Sequence, residues 1–130
     1  MIVVDASALV QALVGRDPDP LFLDVLAGDL HAPHLLDVEV LSALRGLELG
    51  HRLTPTVADQ ARLDYFSFTI TRHELAPLSE RVWALRHQFT TYDASYLALA
   101  EALPAPLATC DAKLAAGDHT AEVNVMARTD

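Results

Sequence analysis

The stretch IVVD, residues 2–5, carries three β-branched apolar residues into the first charge of the chain, and ASAL follows at 6–9. An apolar run with no polar alternation is the mark of a strand buried on both faces, as in a parallel sheet. A carboxylate at the mouth of such a strand needs a reason. PLATCD, residues 106–111, repeats the pattern, a short apolar strand that stops on an acid. Functional sites of open parallel sheets collect beyond the carboxyl ends of the strands, and Asp5 and Asp111 each hold the last position of a predicted strand. If the two strands are neighbours, their carboxylates meet, which disfavours bare like charges and suits a divalent cation. Either Asp alone reads equally well as the cap of a following helix; the repetition is what favours a site.

Between these strands the pattern alternates. Ser7 is the expected cap of a helix over ALVQALV (8–14) that ends at Gly15, and the prolines of RDPDP (16–20) open a short helix, LFLDVLAG, closed by Gly28. Residues 30–32 read as a strand. LLDVEVLSALRGLELG (35–50) places apolar residues at 36, 40, 44 and 47 and ends on Gly50, a long amphipathic helix. Thr54 and Pro55 start another helix that runs to about Tyr65. SFTITRHEL (67–75) alternates as a strand, helices are expected over 78–89 and 92–103, and EVNVM (122–126) suits a last strand. Strands alternating with helices predict an α/β sandwich around a mainly parallel sheet.

Composition narrows the class. The chain has 130 residues and no linker-like segment, so one domain is expected, large enough to bury roughly two thirds of its unfolded surface. Cys110 is the only cysteine, which excludes a disulfide framework and fits a reducing, cytoplasmic setting. No signal-peptide pattern opens the sequence and no apolar run nears the roughly 20 residues that span a bilayer, so a soluble protein is expected. The net charge of −9 argues against a simple basic nucleic-acid binder. It does not argue against a nucleic-acid enzyme built on metal-filled carboxylates.

Other candidate residues extend the pair. Asp93 projects from its helix on the flank of Tyr92, Tyr96 and Ala100, although a place in the first turn also suits the helix dipole. Asp37 and Glu39 border the apolar stripe of the long helix on opposite sides, and periodicity does not choose between them. Ser7, two residues after Asp5, and Thr109, two before Asp111, are hydroxyls able to orient a carboxylate or to cap a turn. Asp24, Asp64, Glu74, Glu80 and Glu101 read as solvated charges. The six histidines lack zinc-site spacing and read as surface or packing residues.

Taken together, VVDASALV (3–10), LLDVEVLSALR (35–45), TTYDASYLALAE (90–101) and LATCDAKLA (107–115) resemble, in order and spacing, the PIN domain, and within it the VapC ribonuclease toxins of toxin–antitoxin modules. The resemblance implies a single PIN domain over 1–130 with a three-layer α/β/α fold, and a Mg²⁺- or Mn²⁺-dependent endoribonuclease. Residue by residue, it assigns the catalytic, metal-holding acids to Asp5, Glu39, Asp93 and Asp111, preferring Glu39 to Asp37, with Ser7 and Thr109 in support. It implies RNA as substrate, a small antitoxin as partner, and a homodimer for which the helices around 35–65 offer apolar surface. Lys113 and scattered arginines are the cations left for RNA phosphates. A haloacid-dehalogenase-type phosphatase would want a second Asp where Ser7 stands. A catalytically silent PIN-like binding module is the other alternative, and metal-dependent RNA cleavage separates the two.

Overall fold

The computed structural model describes residues 1–129. Strands β1 (Ile2–Val4), β2 (Leu30–Pro33), β3 (Ile70–His73), β4 (Leu107–Thr109) and β5 (Val123–Val125) form one sheet in the order β3-β2-β1-β4-β5. All four pairings are parallel. β1 lies beside β4, with Val3 opposite Leu107 and Val4 opposite Ala108, so the two apolar runs that end in acids are indeed neighbours.

Among the described residues six helices connect the strands: α1 (Ala6–Val14), α2 (Pro20–Val25), α3 (Leu35–Leu49), α4 (Pro55–Ser67), α5 (Ser79–Ala84) and α6 (Thr91–Ala102). From β1 through β3 the chain steps outward one strand at a time, then crosses back over β1 to reach β4. Right-handed crossovers in opposite directions put the two groups of helices on opposite faces. Accordingly α1, α3 and α4 pack on one another, and α5 packs on α6. The order reverses between β1 and β4, which opens a crevice at their carboxyl ends.

The central strands are sealed: Val3, Val4, Leu107 and Ala108 are all buried. Every residue of α6 from Ala94 to Ala100 is buried too, and its small residues let this helix lie close against the sheet. Among the described residues no helix is long and apolar enough to cross a membrane.

The expected strands and helices are present, with shifted limits. Asp5, not Ser7, caps α1, because its side chain accepts the Ala8 N–H and the helix starts at once. β3 is shorter than the alternation of residues 67–75 suggests because it is at the sheet edge and its neighbour β2 pairs with it over Ile70–His73. The helix expected over 78–89 splits into a 3₁₀ turn (Ala76–Leu78), the short α5 and a run of turns. There Arg86 N–H bonds the Trp83 carbonyl and Gln88 N–H that of Leu85, which turns the chain toward the Thr90 cap of α6.

Candidate functional site

Leaving β1 at the middle of the sheet, Asp5 enters the crevice only 7% exposed. Its Oδ1 accepts hydrogen bonds from Ser7 Oγ at 2.7 Å and Ala8 N–H at 3.0 Å. Ser7 Oγ in turn accepts the Cys110 N–H at 2.9 Å and lies 3.4 Å from Thr109 Oγ1, which accepts the Asp111 N–H at 3.0 Å. Two hydroxyls thus tie the end of β1 to the end of β4. Asp111 caps the 3₁₀ turn Ala112–Ala115 by accepting the Lys113 N–H at 3.0 Å.

Glu39 and Asp93 come from the two helical layers. Glu39, half-buried in α3, is held through Oε1 by the Tyr96 hydroxyl of α6 at 2.6 Å. Asp93, half-buried in the first turn of α6, has its N–H bonded to Thr90 Oγ1 at 3.1 Å. These acids feel one another electrostatically. Burial pushes the Asp5 carboxyl above its usual range, and the charge of Asp111 pushes the same way against the hydrogen bonds of Thr109, Ala8 and Ser7. Glu39 is raised by burial and then by the charges of Asp5 and Asp93, with Tyr96 opposing. Asp93 is raised by burial and by Asp111 and Asp5, while Thr90 and Lys113 oppose. None of the four acids is in an ion pair among the described residues.

The other acids differ. Asp37 turns away to Arg72 of β3, whose Nε lies 2.9 Å from Oδ2 and Nη2 2.9 Å from Oδ1, and to the Tyr65 hydroxyl at 2.6 Å. Burial alone would raise Asp37, yet Arg72 and Tyr65 hold it below its usual range. Glu101 is not the solvated charge expected of it. Its side chain is 13% exposed, accepts two hydrogen bonds from Arg81 at 2.7 and 3.0 Å, and accepts the Thr120 N–H at 2.8 Å. The Arg81 guanidinium, with help from Thr120, brings its pKa down to about 2. Asp24, Asp64, Glu74 and Glu80 are exposed, as expected.

As oxygen donors of high negative charge, Asp5, Glu39, Asp93 and Asp111 match a hard divalent cation. Among the described residues no three ligating side chains converge into a ready-made cage. Beside the acids, between α1 and α3, runs a groove of about 650 Å³ that shares Ser7 and Glu39 with them and extends to Arg52, Arg128 and Thr129. Sequence reasoning left Tyr96 without a role; its place on the inner flank of α6, beside Asp93, was the available signal.

A family model described as PIN domain matches residues 2–119, nearly the whole chain. The chain belongs to the PIN-domain family. This PIN domain is 42% identical over 115 residues to Ribonuclease VapC9 of Mycobacterium tuberculosis, with 88% of each chain covered. It is 45% identical over 118 residues to Ribonuclease VapC1 of the same species, again with 88% of each covered. Among solved structures, one from Pyrobaculum aerophilum superposes with a TM-score of 0.71 at 26% identity, covering 94% of this chain and 87% of that one. The α/β/α arrangement expected from the sequence is thus the fold of the family.

Proposed function

We propose that this PIN domain is an endoribonuclease that uses Mg²⁺ or Mn²⁺, held by Asp5, Glu39, Asp93 and Asp111, to hydrolyse RNA phosphodiester bonds. It acts in the cytoplasm as the toxin of a toxin–antitoxin pair. The observation that carries this reading is Asp5: a buried carboxylate at the reversal point of the sheet, with three more acids in electrostatic reach and, among the described residues, no ion-pair partner. Kinship with chains named as VapC ribonucleases supports the same chemistry.

When bound, such an ion acidifies water and offsets the charge of a phosphate under in-line attack. The protein's part is to hold the acids still. Ser7 and Ala8 fasten Asp5, Tyr96 fastens Glu39, and Thr109 locks the backbone at Asp111. Burial of Asp5 and partial burial of Glu39 and Asp93 limit the screening of their charges by water. Lys113, exposed and with its charge acting on Asp93, would be a cation for an RNA phosphate.

A small antitoxin that brings a basic group to the same carboxylates would compete with both metal and RNA. Exposed apolar side chains on α3 and α4, among them Val38, Leu41, Val57, Leu63 and Phe66, support a homodimer through those helices. The test of the function is incubation with a mixed RNA pool and mapping of the new ends. Cleavage with Mg²⁺ or Mn²⁺ that leaves 5′-phosphates and stops in EDTA is expected. Cleavage undiminished by EDTA would overturn the metal requirement, and none with either metal would leave a binding module.

A further inference from the structure

On the β2–β3 edge, apart from the acidic site, Asp29, His31 and His73 form a chain of side-chain contacts. Asp29 Oδ1 lies 2.9 Å from His31 Nε2, and His31 Nδ1 lies 2.8 Å from His73 Nε2. The strands dictate this meeting. His31 pairs with Thr71 and Pro33 with His73, and residues two apart on a strand point to the same face, so the two imidazoles are diagonal neighbours. We propose that His31 and His73 are a second metal site, a two-histidine chelate oriented by Asp29 and suited to Zn²⁺ or a similar transition-metal ion.

The hydrogen bonds set the tautomers. A carboxylate accepts, so His31 must carry its proton on Nε2, which leaves a lone pair on Nδ1 aimed at His73 Nε2. Without metal, His73 donates its Nε2 proton into that lone pair. Moving this proton to Nδ1 of the same ring leaves a lone pair on each facing nitrogen, with both rings neutral and no net proton released. A tetrahedral ion with metal–nitrogen bonds of roughly 2.0–2.1 Å needs its two nitrogens about 3.3 Å apart. The rings must therefore separate by about 0.5 Å from their 2.8 Å contact and each turn by roughly 35° so that both lone pairs aim at the ion. A carboxylate behind a ligating imidazole is the usual means of fixing the ring and its tautomer.

Other features agree. Burial, then the charges of His31 and His34, push the His73 pKa down, which keeps the ring neutral as a ligand must be. The His31 side chain is 12% exposed and that of Asp29 62%, so the ion has a route from solvent while the rings stay packed. Among the described residues no third Asp, Glu, His or Cys converges with the pair, so water completes the sphere. Imidazole donors select Zn²⁺, Cu²⁺ or Ni²⁺ and leave Mg²⁺ to the carboxylates. An ion here would clamp the edge strand β3 to β2.

The experiment adds ZnCl₂ to the full chain in excess Mg²⁺, follows the imidazole ¹⁵N resonances, and measures Zn²⁺ affinity by calorimetry. One Zn²⁺ per chain is expected to shift His31 Nδ1 and His73 Nε2, equally in wild type and in Asp5→Asn. His31→Gln and His73→Gln are expected to abolish that binding event. The exposed Asp29→Asn, which leaves the packing intact, is expected to weaken it by at least about 10-fold. Unmoved His31 and His73 resonances, or Zn²⁺ binding that survives both histidine substitutions and fails in Asp5→Asn, would overturn the site. The outcome is independent of RNA cleavage.

Discussion

Asp37, half-buried, and Asp5, buried, are satisfied in opposite ways. Asp37 receives the guanidinium of Arg72 and the hydroxyl of Tyr65 and is held below the usual carboxylate range. Asp5 receives a hydroxyl and a backbone N–H, groups that orient a carboxylate without cancelling its charge, and it is pushed above that range. Glu101 with Arg81 and Glu39 with Tyr96 repeat the contrast. The arginine-paired acids are complete and serve the fold. The acids at the ends of β1 and β4 are oriented and, among the described residues, in no ion pair, as the proposed cation site requires.

Asp5→Asn is the strongest attempt to break this contrast. Asparagine still accepts from Ser7 Oγ and Ala8 N–H, so the α1 cap survives, while the charge a cation needs is gone. Loss of a group that merely orients a ligand lowers activity about 10–100-fold, so loss of the ligand charge itself should exceed about 100-fold in RNA cleavage. Because burial raises the folded-state pKa of Asp5, its ionised form works against folding, and the metal-free variant should melt at or above the wild type in calorimetry. A variant that melts well below the wild type would make Asp5 a structural acid like Asp37.

Tyr96→Phe sharpens the same contrast without changing any charge. Glu39 loses its 2.6 Å hydrogen bond and should keep its place in α3, with cleavage reduced about 10–100-fold. That hydrogen bond lowers the Glu39 pKa, so its loss should move the acidic limb of the pH–rate profile to higher pH. An unshifted profile would reduce Tyr96 to packing.

What the sequence could and could not say follows the range of the interactions. The burial of β1 and its likeness to β4, the strand it pairs with, are legible because each rests on a local pattern, an apolar run ending in an acid, that occurs twice. The choice between Asp37 and Glu39 is not legible from periodicity. What sets the two apart lies 28, 35 and 57 residues along the chain, in Tyr65, Arg72 and Tyr96, and the preference for Glu39 rests on the family resemblance. Glu101 was misread for the same reason, since its partner Arg81 lies 20 residues earlier on another helix. The His31–His73 contact spans 42 residues across two strands, beyond any spacing rule for histidine motifs.

Arg72→Ala attacks the paired side. It leaves Asp37 partly buried with only Tyr65 as partner, at a cost of about 1–3 kcal/mol measurable by urea unfolding. RNA cleavage below the melting temperature should be unchanged, because Arg72 belongs to the β3 edge. A fall in cleavage without a fall in stability would erase the separation between the two sets of acids.

The smallest effect distinguishes the two sets by the sign of their pH dependence. Glu101 has a folded-state pKa of about 2 against an ordinary 4.5, so its contribution is fully present above about 4.5 and is lost as pH falls toward 2. Since Arg81 is 39% exposed and screened by solvent, that contribution is about 1–2 kcal/mol rather than the full value of the shift. The stability gap between wild type and Glu101→Gln should therefore be widest at pH 7 and close as pH falls below 4.5. For Asp5→Asn without metal the variant should be the more stable chain at pH 7. That advantage should shrink on acidification, because protonation of Asp5 removes the same unfavourable charge from the wild type. Unfolding curves for the three chains between pH 7 and pH 3 would read both slopes, and gaps of the same sign would mean that Asp5 is paired after all.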